Sequence, residues 1–185
     1  LPRHREKLAD VARMNAAGRP PQLVFIGDSI TQGWEKEGAP VWGQYYARYD
    51  ALDLGFGGDR TENVLWRLQH GAVDGLNPKV AVLMLGTNNT GLRSDFPAIT
   101  AEGIRRNLDE LRRRLPHTRI LLLAIFPRDA TPDSAARRNN EGINALLPAL
   151  ADGRQVFFLD INAAFLSPDG SLSKDVMSDL LHPNA

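Results

Sequence analysis

The chain has 185 residues with 22 basic and 22 acidic side chains, so its net charge is zero with histidine neutral. This length predicts a single domain over residues 1–185, and the balanced charge excludes nucleic-acid binding driven by bulk charge. Hydrophobic residues make up 43% of the chain, yet no apolar run approaches the roughly 20 residues of a membrane-spanning helix, so disordered and membrane-inserted classes are excluded. The absence of cysteine excludes disulfides and a cysteine nucleophile.

The predicted elements alternate between helices and strands. A polar helix ends before Pro20 and Pro21, and continuous apolar runs then predict strands at residues 23–26, 52–56, 80–85, 120–126 and 156–159. Helices are predicted over residues 41–49, from a Thr61 cap to Gly71, along a leucine stripe at 104–115 and along a similar stripe at 143–150. Continuous apolar strands separated by helices are typical of a parallel sheet covered on both faces. We therefore predict an α/β fold, a flavodoxin-like three-layer sandwich with a five-stranded parallel sheet in the order 2-1-3-4-5.

Polar residues follow the first three predicted strands, at the edge where the carboxyl ends of parallel strands meet and ligands bind. These segments are Gly27-Asp28-Ser29, Gly57-Gly58-Asp59 and Gly86-Thr87-Asn88. Near the end of the chain a carboxylate and an imidazole stand three residues apart, at Asp179 and His182. Together these residue types supply a nucleophile, a base, an orienting group and hydrogen-bond donors.

Ester hydrolysis requires a seryl hydroxyl to lose its proton as it attacks, a task suited to a neutral imidazole. Ser29 is the candidate nucleophile and His182 the candidate base, with Asp179 as the carboxylate that selects the histidine tautomer. The negative oxygen of the tetrahedral intermediate needs fixed donors, and the candidates are the amides of Ser29 and Gly58 and the side chain of Asn88. We expect Asp28 to hold the turn through side-chain bonds to the backbone.

These segments resemble the SGNH (GDSL-type) hydrolase family. Gly27-Asp28-Ser29 resembles the first block of the family, Gly58 the second, Gly86-Thr87-Asn88 the third, and the stretch from Asp179 to His182 the fifth. Within the family, segments 57–68 and 86–89 are similar to the catalytic-subunit group of the platelet-activating-factor acetylhydrolases and its bacterial relatives. The resemblance implies a flavodoxin-like fold, the same triad and oxyanion donors, and no metal or organic cofactor.

The resemblance also implies features outside the site. Such proteins continue past the histidine into a final helix, so we expect this chain, whose last residue is Ala185, to lack that helix. The group that it resembles tends to dimerise, which makes a homodimer a candidate assembly. The first residue is Leu1, which leaves the compartment open, with a preference for a secreted or periplasmic protein whose signal peptide is absent from this sequence.

Three further residues are candidates for the substrate pocket by their position. Trp34 follows the nucleophile segment and either borders the substrate or packs in the core, while Phe126 and Arg128 lie at the ligand end of the fourth predicted strand. We interpret the protein as a serine esterase that removes short acyl groups, acetyl above all, from an alcohol. An O-acetylated carbohydrate is preferred because the chain shows no long apolar insertion that would gather lipid.

Two other functions stay open. A lysophospholipase or thioesterase passes through the same tetrahedral chemistry, and the shape of the pocket decides among these substrates. A flavodoxin-like binding module for a phosphate or flavin fits the fold but leaves Asn88, Asp179 and His182 without a role. The sequence contains no Gly-Lys-Ser/Thr phosphate loop and no His-Glu-x-x-His metal-binding helix. The Gly-x-Ser-x-Gly elbow is also missing, because Thr31 stands where that elbow requires glycine.

Overall fold

The computed structural model describes residues 2–184 and places five strands in one sheet. The strands are Leu23–Gly27 (β1), Leu52–Gly55 (β2), Val80–Met84 (β3), Arg119–Leu123 (β4) and Val156–Leu159 (β5). Neighbouring strands are parallel, and their order is β2-β1-β3-β4-β5. The predicted α/β class and strand order are therefore confirmed.

Seven α-helices connect and flank these strands within residues 2–184. They are Pro2–Ala16 (α1), Ser29–Gln32 (α2), Ala39–Tyr45 (α3), Thr61–Gln69 (α4), Thr87–Arg93 (α5), Pro97–Arg114 (α6) and Ala135–Asn144 (α7). Short 3-10 helices occur at Gly33–Glu35, Ala47–Tyr49, Leu147–Leu150 and Asn162–Phe165. No helix in this part of the chain combines the length and the apolar character needed to cross a membrane.

Four predicted helices differ in detail from the structure. The stripe predicted at 104–115 belongs to α6, which begins earlier, at Pro97. The stripe at 143–150 is not one helix, because α7 ends at Asn144 and a 3-10 helix carries Leu147 into the core. Pro148 has no N–H to donate to a continuing α-helix, which explains the break. The residue that caps α4 is Arg60 rather than Thr61, since Thr61 is already helical. The segment 41–49 splits likewise into α3 and a 3-10 helix.

The main core lies on one face of the sheet. Two rows of side chains in cross-strand register form its floor: Leu52, Val24, Ala81, Ile120 and Val156 in one row, and Leu54, Ile26, Leu83, Leu122 and Phe158 in the next. Helices α1, α4, α6 and α7 cover this floor with their own apolar side chains. Each fully buried branched side chain contributes about 1.5–3 kcal/mol, so this layer supplies most of the burial that holds the fold together.

The opposite face of the sheet is covered unevenly. Over β1, Phe25 packs against Trp42 and Tyr46 with ring centroids 5.1 and 5.0 Å apart. At the far edge, Phe157 and Leu159 of β5 are 37% and 44% exposed. Right-handed crossovers in this strand order place the β1–β2 connection on one face and the other connections on the opposite face. Within residues 2–184 the prediction of two covered faces therefore holds over β1 but not over β5.

The strand order also positions the polar segments found in the sequence. Gly27 at the end of β1 pairs with Gly55 of β2 on one side and with Met84 of β3 on the other. The chain leaves all three strands at the same edge, which is the edge where doubly wound proteins bind ligands.

Candidate active site

Ser29 stands at the first turn of α2, directly after β1. The side-chain carboxyl group of Asp28 caps this turn, because its Oδ1 accepts the N–H of Ile30 at 3.0 Å, and the role predicted for Asp28 is thereby confirmed. A Cβ on Gly27 would overlap the side chain of Thr31, so only glycine lets β1 run this close beneath α2. The local sequence thus presents Ser29, half-buried, at the carboxyl edge of the sheet.

The hydroxyl of Ser29 meets an imidazole from the other end of the chain. Its Oγ lies 2.8 Å from Nε2 of His182, and Nδ1 of His182 lies 2.6 Å from Oδ2 of Asp179. When the N–H at Nδ1 donates a hydrogen bond to the carboxylate, Nε2 carries no proton and can accept the hydrogen bond of the seryl O–H. The structure therefore brings the three predicted residues into one hydrogen-bonded series across a separation of 153 positions.

Main-chain hydrogen bonds hold the carboxylate of Asp179 in place. Its Oδ1 accepts the N–H groups of Leu181 and His182 at 3.0 and 2.8 Å, which leaves Oδ2 for the imidazole. Burial alone would raise the pKa of Asp179, but these donors together outweigh it and lower that pKa. Asp179 is therefore ionised at neutral pH and can stabilise a positive charge on His182.

A second carboxyl group lies beside Ser29 but outside this series. Asp28 is 1% exposed, and its Oδ2 has no hydrogen-bond partner among residues 2–184. Burial raises the pKa of Asp28 to about 7, against the opposing effects of the Ile30 N–H and His182. Because ionising a buried, half-satisfied carboxyl group is costly, Asp28 keeps its proton up to near-neutral pH.

The loop after β2 and the start of α5 bring the predicted oxyanion donors to the same edge. Gly58 has a φ of 78°, a left-handed conformation that favours glycine, and a Cβ there would point into open space. The side-chain amide of Asn88 donates to the carbonyl of Asp59 at 2.9 Å, so Asn88 lies against the loop that carries Gly58. This bond uses one N–H of the amide and leaves the second for a substrate oxygen.

Two side chains that the sequence analysis did not single out hold this loop. Gln32 accepts the N–H of Gly57 at 2.7 Å, which ties the loop to α2. Arg67 of α4 donates to both carboxylate oxygens of Asp59, at 2.5 and 2.8 Å. Bidentate pairs of this kind are geometrically specific. Neither contact follows a spacing that sequence patterns reveal, because each joins a loop to a separate helix.

The three candidates for the substrate pocket make contacts within the protein. Trp34 belongs to the aromatic cluster over β1, together with the aromatic residues of α3. Phe126 packs against Phe165 with ring centroids 4.6 Å apart, and Nη1 of Arg128 donates to the carbonyl of Thr87 at 3.0 Å. A role of these residues in substrate binding stays a prediction.

The arrangement defines a chemical class. A hydroxyl, an imidazole and a carboxylate in series, with N–H donors beside the hydroxyl, are the parts that nucleophilic hydrolases use. Histidine, aspartate and glutamate side chains of residues 2–184 form no group of three or more that would hold a metal ion.

Comparison with known proteins gives the family. Residues 25–185 match the family described as GDSL-like Lipase/Acylhydrolase. The chain is 34% identical over 164 residues to the platelet-activating factor acetylhydrolase IB subunit alpha1 of Homo sapiens, over 89% of this chain and 69% of that relative. The chain belongs to the GDSL-like lipase/acylhydrolase family, and it is an acylhydrolase by that membership.

Solved structures share the fold at lower identity. A GDSL-like lipase from Bacteroides thetaiotaomicron is 19% identical and superposes with a TM-score of 0.76, over 96% of this chain and 89% of that protein. Est24, a carbohydrate acetylesterase from Sinorhizobium meliloti, is 19% identical with a TM-score of 0.67, over 89% of this chain and 91% of that protein. These similarities concern the fold.

Proposed function

We propose that the protein is a serine esterase that removes short acyl groups, acetyl above all, from the hydroxyl groups of carbohydrates. The observation that carries the proposal is the hydrogen-bonded series from Ser29 through His182 to Asp179. A surface serine has no reason to meet an imidazole that is itself held by a carboxylate, whereas an ester-cleaving nucleophile requires this series.

The first half of the reaction forms an acyl-enzyme. Nε2 of His182 takes the proton of Ser29 as Oγ attacks the ester carbonyl, and Asp179 stabilises the imidazolium. The carbonyl oxygen becomes an oxyanion that the main-chain N–H groups of Ser29 and Gly58 and the amide of Asn88 bind. When the tetrahedral intermediate collapses, His182 returns its proton to the departing alcohol, and the acyl group stays on Ser29.

The second half of the reaction releases the acid. Water replaces the alcohol and loses a proton to Nε2 of His182 as its oxygen attacks the acyl carbon. The same donors bind the second oxyanion, and collapse returns the proton to Oγ of Ser29. The carboxylic acid leaves, and the enzyme regains its starting protonation state.

Solved structures with this fold favour a carbohydrate ester. The fold is shared with an acetyl xylan esterase and with Est24, a carbohydrate acetylesterase, so it accommodates enzymes that act on acetylated sugars. Function depends on the site and not on the fold alone, so the acyl group and the alcohol are what a substrate panel must establish.

A lipid ester is the second candidate, and an exposed apolar surface favours it. Leu92, Phe96 and Ile99 are 61%, 75% and 57% exposed. Leu92 follows Asn88 by four residues in α5, so the two side chains share one face of that helix. An acyl chain or lipid tail that extends from the oxyanion donors along this face of α5 would contact Leu92.

Labelling with a serine-directed organophosphorus probe tests the proposed nucleophile. Intact-mass analysis should show one adduct on the wild type and none on Ser29→Ala, while the exposed serine variant Ser167→Ala should label like the wild type. Absence of an adduct on folded wild-type protein would refute the proposed mechanism.

A panel of acetylated xylan, short-chain and long-chain aryl esters, lysophosphatidylcholine and acyl-coenzyme A then separates the two candidate functions. Preference for acetylated sugar supports the carbohydrate esterase. Preference for lysophosphatidylcholine or long-chain esters, reduced by Leu92→Ser, overturns it in favour of the lipid ester.

A further inference from the structure

The loop that carries Asp179 and His182 is held at its middle residue. Leu180 has a φ of 61°, and its carbonyl accepts the N–H of Asp129 at 2.9 Å. Because Leu180 stands between the carboxylate and the imidazole, a displacement of its main chain would move both of those side chains. The segment Arg128–Asp129 is therefore an external support of the catalytic loop.

The opposite end of the same segment contacts the oxyanion region. Nη1 of Arg128 donates to the main-chain carbonyl of Thr87 at 3.0 Å, and Thr87 directly precedes Asn88. A Cβ on Gly91 would overlap the guanidinium of Arg128, so α5 leaves room for this contact. The segment thus touches both the acid–base loop and the helix that carries an oxyanion donor.

A single buried arginine holds this segment from beneath. Arg137 of α7 is 1% exposed. Its Nε and Nη2 donate to the carbonyls of Arg128 and Asp129, each at 2.7 Å, and its Nη1 donates to the carbonyl of Gly170 at 3.2 Å. The planar fork of a guanidinium is the side-chain group whose several donors can hold two consecutive carbonyls and a third loop at once.

The contacts of Arg137 both satisfy buried main-chain groups and fix where those groups lie. Its hydrogen-bond partners are main-chain carbonyls rather than a carboxylate, and burial lowers its pKa against the opposing charges of Glu141 and Asp129. An apolar residue in its place would leave these three carbonyls without their donors, so the arginine also contributes to stability. What the arginine adds is a defined position for the carbonyls that it holds.

We infer that Arg137 is a positioning residue of the esterase reaction, which sets the location of the Asp179–His182 loop relative to Ser29 and Asn88 through the segment Arg128–Asp129. The inference rests on the proposed triad mechanism. A displacement of about 1 Å between reacting groups can cost about 100-fold in rate, so Arg137 affects the chemical step without touching the substrate.

The test compares Arg137→Met and Arg137→Lys with Arg114→Met. Arg114 is a suitable control because it is also mostly buried and hydrogen-bonded, through Glu110 and the carbonyl of Gln69, but stands at the end of α6, at the amino edge of the sheet. For each folded variant, kcat and KM for a short-chain aryl acetate, the rate of Ser29 labelling and the resonance of the His182 Nδ1 proton are measured.

For Arg137→Met we expect kcat and the labelling rate to fall about 100-fold with KM little changed. The Nδ1 proton resonance should shift or broaden, because the hydrogen bond to Asp179 is no longer held in one geometry. Arg137→Lys keeps the charge but lacks the fork, and we expect about a tenfold loss in kcat. Arg114→Met should lower the melting temperature without changing kcat or the resonance.

The inference is overturned if Arg137→Met melts earlier but retains wild-type kcat, labelling rate and Nδ1 resonance below its melting temperature. If Arg137→Met does not fold, Arg137→Lys decides: wild-type kcat in that variant overturns the inference, and a loss with unchanged KM supports it. Failure of the proposed mechanism is a separate outcome, since wild-type protein would then not label at Ser29.

Discussion

Replacing Asp28 with asparagine is expected to remove a pH-dependent loss of stability. Burial raises the pKa of Asp28 from 3.8 to about 7 in the folded protein. As the pH rises through about 4 to 7, the unfolded chain has lost this proton while the folded protein still binds it. The stability associated with this group is therefore complete below about pH 4 and is lost progressively as the pH approaches 7.

The structure also gives the size of this effect. Each unit of difference between the folded and unfolded pKa values corresponds to about 1.4 kcal/mol. Ionisation of Asp28 therefore lowers the free energy of unfolding by on the order of 4 kcal/mol at pH 8. Asparagine keeps an oxygen for the N–H of Ile30 and has no proton to lose. Its amide places an unpartnered N–H where Oδ2 lies now, a cost of about 1–3 kcal/mol that does not vary with pH.

Urea unfolding of wild type and Asp28→Asn at a series of pH values measures this difference. The stability of the variant minus that of the wild type should rise between about pH 4 and pH 8. Asp53→Asn is a matched control, because burial raises the pKa of Asp53 on strand β2 to about 7 as well. Both variants should change the pH dependence of stability, but only Asp28→Asn should alter the pH dependence of kcat/KM. A difference that stays flat across this range would refute the reasoning.

Three further substitutions test other parts of the site. Asn88→Ala should lower kcat by about 100- to 1,000-fold with little change in KM, because it removes an oxyanion donor; steady-state kinetics that show a raised KM and an intact kcat would assign Asn88 to ground-state binding instead. Arg67→Met should lower the free energy of urea unfolding by about 3 kcal/mol, since it leaves the buried carboxylate of Asp59 without its partner; an unchanged midpoint would contradict this. Gly55→Ala should destabilise the protein by about 1–3 kcal/mol in thermal unfolding, because a Cβ there would overlap the main chain of α2, whereas Gly43→Ala, where a Cβ meets open space, should be neutral or stabilising.

Local interactions explain why the fold was predictable. Each apolar run of the sequence became a strand, because short continuous apolar runs are typical of the strands of a parallel sheet. The cap that Asp28 makes and the Asp179–His182 hydrogen bond span two and three residues. Contacts this short depend on the residue types and the turn between them, so the sequence alone determines them. Pro148 shows the limit, since an apolar stripe predicted one helix where the proline divides it.

Contacts between distant segments depended on the tertiary structure. Ser29 and His182 meet across 153 positions, and the sequence pointed to their meeting through the chemistry of the residue types and through a family resemblance, not through any local spacing. The pairing of Arg67 with Asp59 and the contacts of Arg137 with three carbonyls span only 8 to 33 positions, but each of them also joins a helix to a separate loop. The sequence around a helical arginine does not show whether its side chain faces solvent or the core. Helical periodicity does not specify which other segment packs against that side of the helix.

The sequence by itself therefore determined which chemical groups stand at the ends of the strands. The tertiary structure decided which of those groups touch, how deeply Asp28 is buried, and that Trp34 joins an aromatic cluster over β1. The physical reason is one of range. Propensities, caps and turns act over a few residues, whereas the distance between two loops follows from strand order, crossover handedness and the packing of whole layers.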